Sequence, residues 1–353
     1  MRVSRRRAIG LAAAGVAGAG LIGAGFGVRE AAMKATARNR RAEAAYPPLG
    51  ELVDIGGQRI HLFEKGPKSA PAVVLIHGAS GNLRDFAFSF MDRIADRYRV
   101  IAVDRPGFGH SDRNPSGAKP SGVKPSDALP SGADRSTGDS GGAHRPDVQA
   151  AKMRAAVRAI GVEREIVVGH SLGSASALCW ALDAPASTQG VVVLGGVSHP
   201  WPGTAGLIYD FGSVPGVDRL VGAAVNAMVS EERAKNGIEG IFEPQKAPEG
   251  YADYVGVALA LRADTFRYNN LDIGLLKPVI RERAREYPAM RTPIEILHGA
   301  RDTIVKPEIH SIPLSERAPN ARLTLLDGVG HMPHHAAPEA CIAAIDRLAD
   351  LAR

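Results

Sequence analysis

Short apolar runs recur along the chain after residue 70, and polar or glycine-rich segments separate them. Runs of this kind between turn residues are typical of buried β-strands. Their nearly continuous apolar character is typical of parallel strands that helices cover on both faces. The runs are Ala72–Ile76, the run before Asp104, Glu165–Val168, the run ending at Leu194, Pro293–Leu297 and Arg322–Leu326.

Segments with helical spacing lie between these runs. Residues 147–160 carry apolar side chains at helical intervals, and residues 174–182 form a run of small and apolar residues. Strands that alternate with helices predict an α/β fold with a mostly parallel sheet. The carboxyl ends of such strands meet at one edge of the sheet, where functional side chains collect.

The pentapeptide Gly169–Gly173 follows one predicted strand and precedes a predicted helix. It reads Gly-His-Ser-Leu-Gly, a G-x-S-x-G pattern. A serine hydroxyl is a weak nucleophile, and a sharp strand–turn–helix connection holds it clear of neighbouring side chains. Glycine on both sides lets the strand and the helix approach closely. This context indicates Ser171 as the candidate nucleophile.

Candidates for the acid and the base follow two later strands. Asp302 comes after Pro293–Leu297, and His331 comes after Arg322–Leu326. A histidine can accept the serine proton, and an aspartate orients the imidazole and stabilises its cation. The chain order is Ser171, acid, base, with gaps of 131 and 29 residues.

The loop after Ala72–Ile76 can present backbone N–H groups to a developing oxyanion. The candidate donors are the amides of Ala79 and Leu172. His77 ends the same strand, and we expect it to shape the loop rather than act as a base. His170 precedes the nucleophile, so its side chain should point away from the serine hydroxyl.

Five segments in order resemble motifs of the α/β-hydrolase superfamily. They are His77-Gly78, Asp104–Ser111, Gly169–Gly173, Gly299–Asp302, and Gly330-His331 followed by Pro338-Glu339. The resemblance spans about residues 51–353 and implies an eight-stranded, mostly parallel sheet flanked by helices, with a helical cap. It also implies Ser171 as nucleophile, Asp302 as acid and His331 as base of a serine hydrolase.

Three details refine this interpretation. Some members carry the acid after the preceding strand, but Gly195–Ser198 at that strand end holds no carboxylate, which favours Asp302. Relatives with an aspartate nucleophile act on epoxides or haloalkanes, and a serine argues against both. A zinc interpretation of His331, His334 and His335 is disfavoured, because that cluster falls inside the family's terminal motif. We expect no metal and no cofactor.

The resemblance and the composition of the amino-terminal segment divide the chain into four parts. These are 1–45, an export signal or membrane anchor with a linker; 46–197, the first part of the core; 198–290, the helical cap; and 291–353, the second part of the core. In the cap, helices are expected over 217–234 and 251–263. Several cap aromatic residues are candidates either for lining an apolar pocket or for packing the cap onto the core: Tyr209, Phe211, Tyr251, Tyr254, Phe266 and Tyr268.

Residues 113–146 differ in composition from the rest of the core. The segment contains five Pro, six Gly and six Ser, repeats a Pro-Ser pattern every five residues, and has no aromatic residue. Such a segment buries too little apolar surface to offset the entropy of ordering it. We therefore expect a disordered insertion here.

The net charge of +6 and the sequence pI of about 9.4 invite a nucleic-acid interpretation. The charge is concentrated at the amino terminus, because residues 1–41 hold nine Lys or Arg and one Glu. The remainder holds 34 basic and 36 acidic residues and is nearly neutral. We therefore expect no nucleic-acid partner and a small-molecule acyl substrate. The oligomeric state stays open.

An uncharged run of 21 residues covers positions 8–28, directly after Arg5-Arg6-Arg7. This length suffices to span a bilayer, which needs about 20 apolar residues. Arginines before a weakly apolar segment resemble a twin-arginine export signal. The run predicts membrane contact through residues 8–28, as a cleaved signal or an uncleaved anchor, with an amphipathic or buried cytoplasmic helix as the alternative.

Three functions remain open from the sequence. The leading one is hydrolysis of an ester-like bond through an acyl-enzyme. The second keeps the same triad but changes the bond to an amide, a carbon–carbon bond or a peracid. The third is a catalytically silent binding protein of the same fold, against which the complete set of Ser171, Asp302 and His331 argues. Fold alone does not fix function.

Because residues 8–28 carry no charge and follow three arginines, the full-length chain should reach the cytoplasmic membrane or be exported. Cell fractionation should recover it with membranes or in the exported fraction. Recovery of the intact chain as soluble cytoplasmic protein contradicts this prediction.

Overall fold

Six consecutive parallel strands, from β4 to the edge strand β8, make up most of an eight-stranded sheet with the order β1-β2-β4-β3-β5-β6-β7-β8. The computed structural model describes residues 33–113, 142–214 and 216–351. Strand β2 is antiparallel to both β1 and β4, and every other pair is parallel. The eight-stranded, mostly parallel sheet implied by the resemblance is confirmed. The strands are β1 (Glu51–Asp54), β2 (Arg59–Lys65), β3 (Ala72–Ile76), β4 (Arg99–Val103), β5 (Glu165–His170), β6 (Thr188–Leu194), β7 (Ile294–Gly299) and β8 (Ala321–Leu326).

Apolar side chains from the central strands supply both faces of the sheet. In β3, Val74 and Ile76 pack with one helical layer, whereas Val73 and Leu75 pack with the other. This alternation follows from the two-residue period of a strand. Because both faces are covered, the strand shows an unbroken apolar run instead of alternating polar and apolar residues.

Helices cover the two faces of the sheet and also form a separate layer between β6 and β7. One helix is described over residues 33–45, and we name it α1. The helices of the two faces are α2 (Arg84–Ala87), α3 (Pro146–Ala159), α4 (Leu172–Asp183), α12 (Ser311–Arg317), α13 (Pro333–Ala336) and α14 (Pro338–Leu351). The described helices between β6 and β7, in the expected cap, are α5 (Leu207–Gly212), α6 (Val217–Met228), α7 (Glu231–Phe242), α8 (Tyr251–Tyr254), α9 (Val257–Ala260), α10 (Ala263–Gly274) and α11 (Leu276–Arg283).

Two long helices expected in the cap are each divided. Residues 217–234 form α6 and the start of α7, because Ser230 is extended and its hydroxyl caps α7 by accepting the Arg233 amide. Residues 251–263 contain α8 and α9, separated by Gly256 at φ +66°. A Cβ there would lie 2.7 Å from the Tyr46 ring, so glycine is required at this close contact.

The two ends of the expected insertion differ from the prediction of disorder over 113–146. Arg113 is buried and its guanidinium donates to Asp272 at 2.7 Å, and Ala143 is buried as well. Helix α3 begins at Pro146, which favours the first turn because it needs no amide donor there. Residues 114–141 lie outside the described part of the chain.

The membrane prediction also falls on residues that the structure does not describe. The run 8–28 precedes the first described residue, Met33. Among residues 33–113, 142–214 and 216–351, no helix combines the length and apolar character that crossing a bilayer requires.

The turn between β5 and α4 is fixed by contact with β3. A Cβ on Gly173 would lie 2.4 Å from the Ile76 carbonyl oxygen and 2.5 Å from that of His77. On the other side of Ser171, a Cβ on Gly169 would lie 2.5 Å from the Ser174 Cα. Both glycines are therefore needed for the close approach of strand, turn and helix.

Gly173→Ala should lower the free energy of unfolding by about 1–3 kcal/mol, because the added methyl group forces apart backbone that cannot yield locally. Urea denaturation measures the change. Gly240→Ala is the matched control, since Gly240 is an exposed helical glycine with open space around it. Equal stability of the two variants contradicts the proposed constraint.

Candidate active site

Ser171 stands at the tip of the turn between β5 and α4. Its backbone has φ +51° and ψ −121°, a positive-φ conformation that is rare and strained for a residue with a side chain. The Ser171 hydroxyl donates to His331 Nε2 across 3.0 Å. The strained turn thus presents the serine oxygen to the histidine that the sequence paired with it.

The imidazole of His331 is held on its other side by Asp302. The His331 Nδ1–H group donates to Asp302 Oδ2 at 2.7 Å. The other carboxylate oxygen, Oδ1, accepts the backbone amides of Ile304 and Val305, each at 2.9 Å. All three side chains of this hydrogen-bonded chain are buried.

The carboxylate of Asp302 is stabilised in its charged form. Burial alone would raise its pKa, but hydrogen bonds from His298 and His331 and the nearby His331 charge hold the pKa well below its usual range. Asp302 is therefore ionised throughout the neutral range. An ionised carboxylate can fix the imidazole tautomer and stabilise the imidazolium cation.

His298 is a neighbour of the candidate site that the sequence pattern did not indicate. Its Nε2–H group donates to the Val305 carbonyl at 2.7 Å and lies 3.1 Å from Asp302 Oδ2. Its Nδ1 accepts the Ser311 hydroxyl. The only sequence signal was a histidine four residues before Asp302, at the end of β7. Its contact with Asp302 indicates that His298 positions the Asp302 carboxylate.

The two predicted oxyanion donors lie on the loops that flank the serine. Leu172 is the first residue of α4, so its amide belongs to the amino-terminal end of that helix. Ala79 directly follows Gly78, and Gly78 lies close to the serine: a Cβ on Gly78 would be 3.0 Å from Ser171 Cβ. Within the described chain, no hydrogen bond involves the amide of Ala79 or that of Leu172. Both amides are thus available to an added oxygen.

His77 has the structural role that its sequence position suggested. Its Nδ1–H group donates to the Gly78 carbonyl at 2.8 Å, and its Nε2 accepts the Arg105 amide at 3.0 Å. Complete burial and the positive charge of Arg105 lower the pKa of His77 to about 4. A neutral, fully bonded imidazole of this kind fixes the loop.

Two other aspartates at strand ends, Asp104 and Asp327, are not hydrogen-bonded to His331. The Asp104 carboxylate accepts hydrogen bonds from His61 at 2.6 Å and from the Leu83 amide at 2.7 Å, so both of its oxygens already have partners. Asp327 lies exposed at the end of β8. Asp302 is the carboxylate that the fold brings to the histidine.

A cavity of about 380 Å³ opens beside Ser171 and extends beneath the cap. Cap helices supply most of its apolar wall, together with the loop after His331. Three of the aromatic candidates line it, namely Tyr209, Tyr251 and Phe266, whereas Phe211 is 61% exposed to solvent. The apolar wall comprises Ile238, Ile241, Phe242, Val255, Val257, Leu261 and Met332.

A buried polar cluster around Asp85 forms one end of this cavity. Asp85 accepts from His334 at 3.1 Å, from His335 at 2.9 Å and from the Tyr251 hydroxyl at 2.8 Å. Burial alone would raise the pKa of Asp85, but the charge and hydrogen bonds of the two histidines hold it well below its usual range. The ligand atoms of Asp85, His170 and His334 lie within 4.8 Å of one another, a donor set suited to zinc. The existing hydrogen bonds already satisfy the carboxylate.

His170 links this cluster to the candidate triad. Its Nε2–H group donates to the His331 carbonyl at 2.9 Å, and its ring centroid lies 4.9 Å from that of His331. The three histidines first weighed for zinc do not act together, since His331 pairs with Asp302 while His334 and His335 bond Asp85.

Comparison with known proteins agrees with this fold. The model of the alpha/beta hydrolase family matches residues 73–344. A 2-hydroxymuconate semialdehyde hydrolase of Pseudomonas putida is 26% identical over 293 residues, which cover 81% of this chain and 88% of that protein. A 2-(acetamidomethylene)succinate hydrolase of Mesorhizobium japonicum is 24% identical over 319 residues, covering 86% of this chain and 95% of that protein.

A solved structure gives the same answer for the fold. An esterase from Rhodococcus matches with a TM-score of 0.60 at 19% identity, covering 86% of this chain and 99% of that one. The family match spans well over half of the sequence, from β3 into α14. This chain therefore belongs to the alpha/beta hydrolase family.

Proposed function

We propose that the chain is a serine hydrolase that cleaves ester-like bonds through an acyl-enzyme intermediate. The observation that carries this proposal is the buried hydrogen-bonded chain of Ser171, His331 and Asp302 beside an apolar cavity. A weak nucleophile, a base and an orienting carboxylate are the three groups that acyl transfer to serine requires.

In this mechanism the Ser171 oxygen attacks the carbonyl carbon while its proton passes to His331 Nε2. The resulting oxyanion accepts the amides of Ala79 and Leu172. The imidazolium, stabilised by Asp302, returns the proton to the leaving alkoxide and the alcohol departs. Water then attacks the acyl-enzyme with His331 as base, which releases the acid and restores the serine hydroxyl.

The cavity supports an acyl group with an apolar chain or ring. Its wall is mainly aliphatic and aromatic, and its volume of about 380 Å³ lies at the lower end of the range for small-ligand sites. The two curated relatives act on a semialdehyde and on an acetamido compound, so they support the alternatives of a carbon–carbon or an amide bond. A substrate panel decides between these bonds.

We also propose that residues 1–45 carry an export signal or membrane anchor and that 46–197 and 291–353 form the catalytic core around the cap, 198–290. The uncharged run 8–28 after three arginines supports the first part. The seven cap helices between β6 and β7 support the second.

The purified full chain in detergent should hydrolyse p-nitrophenyl acyl esters and react with a fluorophosphonate probe, and Ser171→Ala should do neither. Loss of the nucleophile should lower the rate by a factor on the order of 10⁶. Thioesters, anilides and a vinylogous diketone complete the panel. If an anilide is turned over fastest, the cleaved bond is an amide; if the vinylogous diketone is turned over fastest, it is a carbon–carbon bond.

Ser80→Ala is the matched control for the probe. Ser80 lines the same cavity and is the other non-glycine residue with positive φ in the described chain, at +53°. It lacks the contact with His331, so labelling should persist in this variant. Labelling that survives in Ser171→Ala and disappears in Ser80→Ala reverses the assignment.

Asp302→Asn should lower kcat by a factor on the order of 10⁴ while the fold persists, because the neutral amide no longer favours the imidazolium. Asp327→Asn removes an exposed carboxylate and should leave the rate unchanged. Steady-state kinetics with thermal unfolding curves measure both. A greater loss in Asp104→Asn, at stability equal to that of Asp302→Asn, shows that the acid is misassigned.

A further inference from the structure

Helix α6 lies on the cap with its polar side inward. Its buried residues are Asp218, Gly222 and Asn226, spaced one turn apart. Asp218 pairs with Arg267 on α10, and the Asn226 amide donates to the Leu261 carbonyl at 2.9 Å. The helix therefore packs through polar and small groups.

The opposite side of α6 is apolar and faces outward. Leu220 is 71% exposed and Met228 is 76% exposed. Surface helices of soluble proteins have the reverse arrangement, with the apolar stripe against the core. The arrangement of polar and apolar residues on α6 is thus that of a helix whose apolar side is covered by a partner outside the described residues.

Helix α5 and the following turn continue this surface. We name the combined surface the cap apolar face; it comprises Leu207, Ile208, Phe211, Val214, Val217, Leu220 and Met228. These seven are more than half of the thirteen large apolar side chains that are exposed among the described residues. Contiguous exposed apolar residues of this kind indicate an interaction site.

The cap apolar face adjoins the cavity beside Ser171. Tyr209 lies on α5 and lines that cavity, while its neighbours Leu207, Ile208 and Phe211 face outward. Whatever covers this face therefore lies one helix away from the cavity that would hold the acyl group.

Helix α1 contacts the rest of the fold at the carboxyl-terminal end of α6. The Arg38 guanidinium donates to the carbonyl of Val229 at 2.6 Å and also to that of Asn226. Ala42 of the same helix is buried against Ala258 and Leu259. The uncharged run 8–28 therefore connects to the fold through a helix that is fastened beside the cap apolar face.

The charge between this run and the fold suits an anionic surface. Residues 29–41 contain five Lys or Arg and one Glu. Clusters of basic residues next to an apolar segment are attracted to negatively charged headgroups. An uncharged run, a basic connector and an apolar helix face are thus adjacent in the chain or in the fold.

We propose that the cap apolar face docks onto a lipid bilayer that contains anionic headgroups. The face enters the boundary between headgroups and acyl chains, and the exposed basic residues of α1, Lys34, Arg40 and Arg41, lie at the headgroups. Docking places the cap, together with the cavity beneath it, at the membrane surface. The proposal does not depend on the bond that the site hydrolyses, because its test measures insertion and not turnover.

The test uses the full chain reconstituted with vesicles of phosphatidylcholine and phosphatidylglycerol. Leu220→Cys is labelled with a nitrobenzoxadiazole fluorophore, and lipids with a spin label on the acyl chain serve as quenchers. The native Cys179 and Cys341 are buried and should not react. Leu325→Cys is the matched control, since Leu325 is 46% exposed on β8 of the core sheet and is not part of the cap apolar face.

At position 220 we expect a blue shift and quenching by about a factor of two or more, because an interfacial helix lies about 5–10 Å deep in the acyl boundary. Position 325 should show neither. Equal quenching at both positions, or none at either, overturns the proposal. A blue shift without lipid quenching also overturns it, since the face is then covered by residues 8–28 or by a second copy.

A charged variant provides the second measurement. Phe211→Cys carrying the same label should be quenched, and Leu220→Glu added to it should abolish the quenching, because a carboxylate is costly at that depth. Circular dichroism verifies that the variant is folded. Quenching at position 211 that is unaffected by Leu220→Glu contradicts docking through this face.

Discussion

The strained, positive-φ backbone of Ser171 is the constraint from which the geometry of the site follows. A residue with a side chain accepts this conformation only when its surroundings enforce it. Here Gly173 lies against the carbonyl oxygens of β3, and the amide of Ser171 donates to the Leu194 carbonyl of β6 at 2.9 Å. The sheet thus supports the strained turn from two sides. Because parallel strands end at one edge, the same arrangement brings the Asp302 and His331 loops to the serine oxygen.

The cap follows a different physical rule from the core. Helices α3, α4 and α14 bury apolar side chains against the sheet, so each is held by the hydrophobic effect. Helix α6 is held by the Asp218–Arg267 ion pair and by close backbone contact at Gly222. Its apolar side is left for another partner. A rigid core that fixes the chemistry therefore carries a cap whose outer surface suits an apolar environment.

The sequence predicted those parts of the structure that depend on local pattern. Buried strands show as apolar runs, and the sharp turn at Ser171 shows as its flanking glycines, so the loops that carry the candidate site could be located. The role of His298 and the cluster around Asp85 could not, because their partners are distant in sequence and meet only in the fold. The division between α6 and α7 was missed because Ser230 reads as an ordinary polar helix residue until its capping bond is seen. The outward apolar side of α6 was missed because periodicity reveals two faces and not which one is buried.

The central claim is that an acyl group passes through the oxygen of Ser171. Rapid-quench mass spectrometry of the full chain during its first turnover of an activated ester tests this directly. The account predicts a burst of product equal to the enzyme concentration and a mass increase of one acyl group on the peptide that contains Ser171. Steady turnover without a burst would show only that deacylation is fast. Acyl mass on a peptide that lacks Ser171, released at the rate of turnover, would contradict the account.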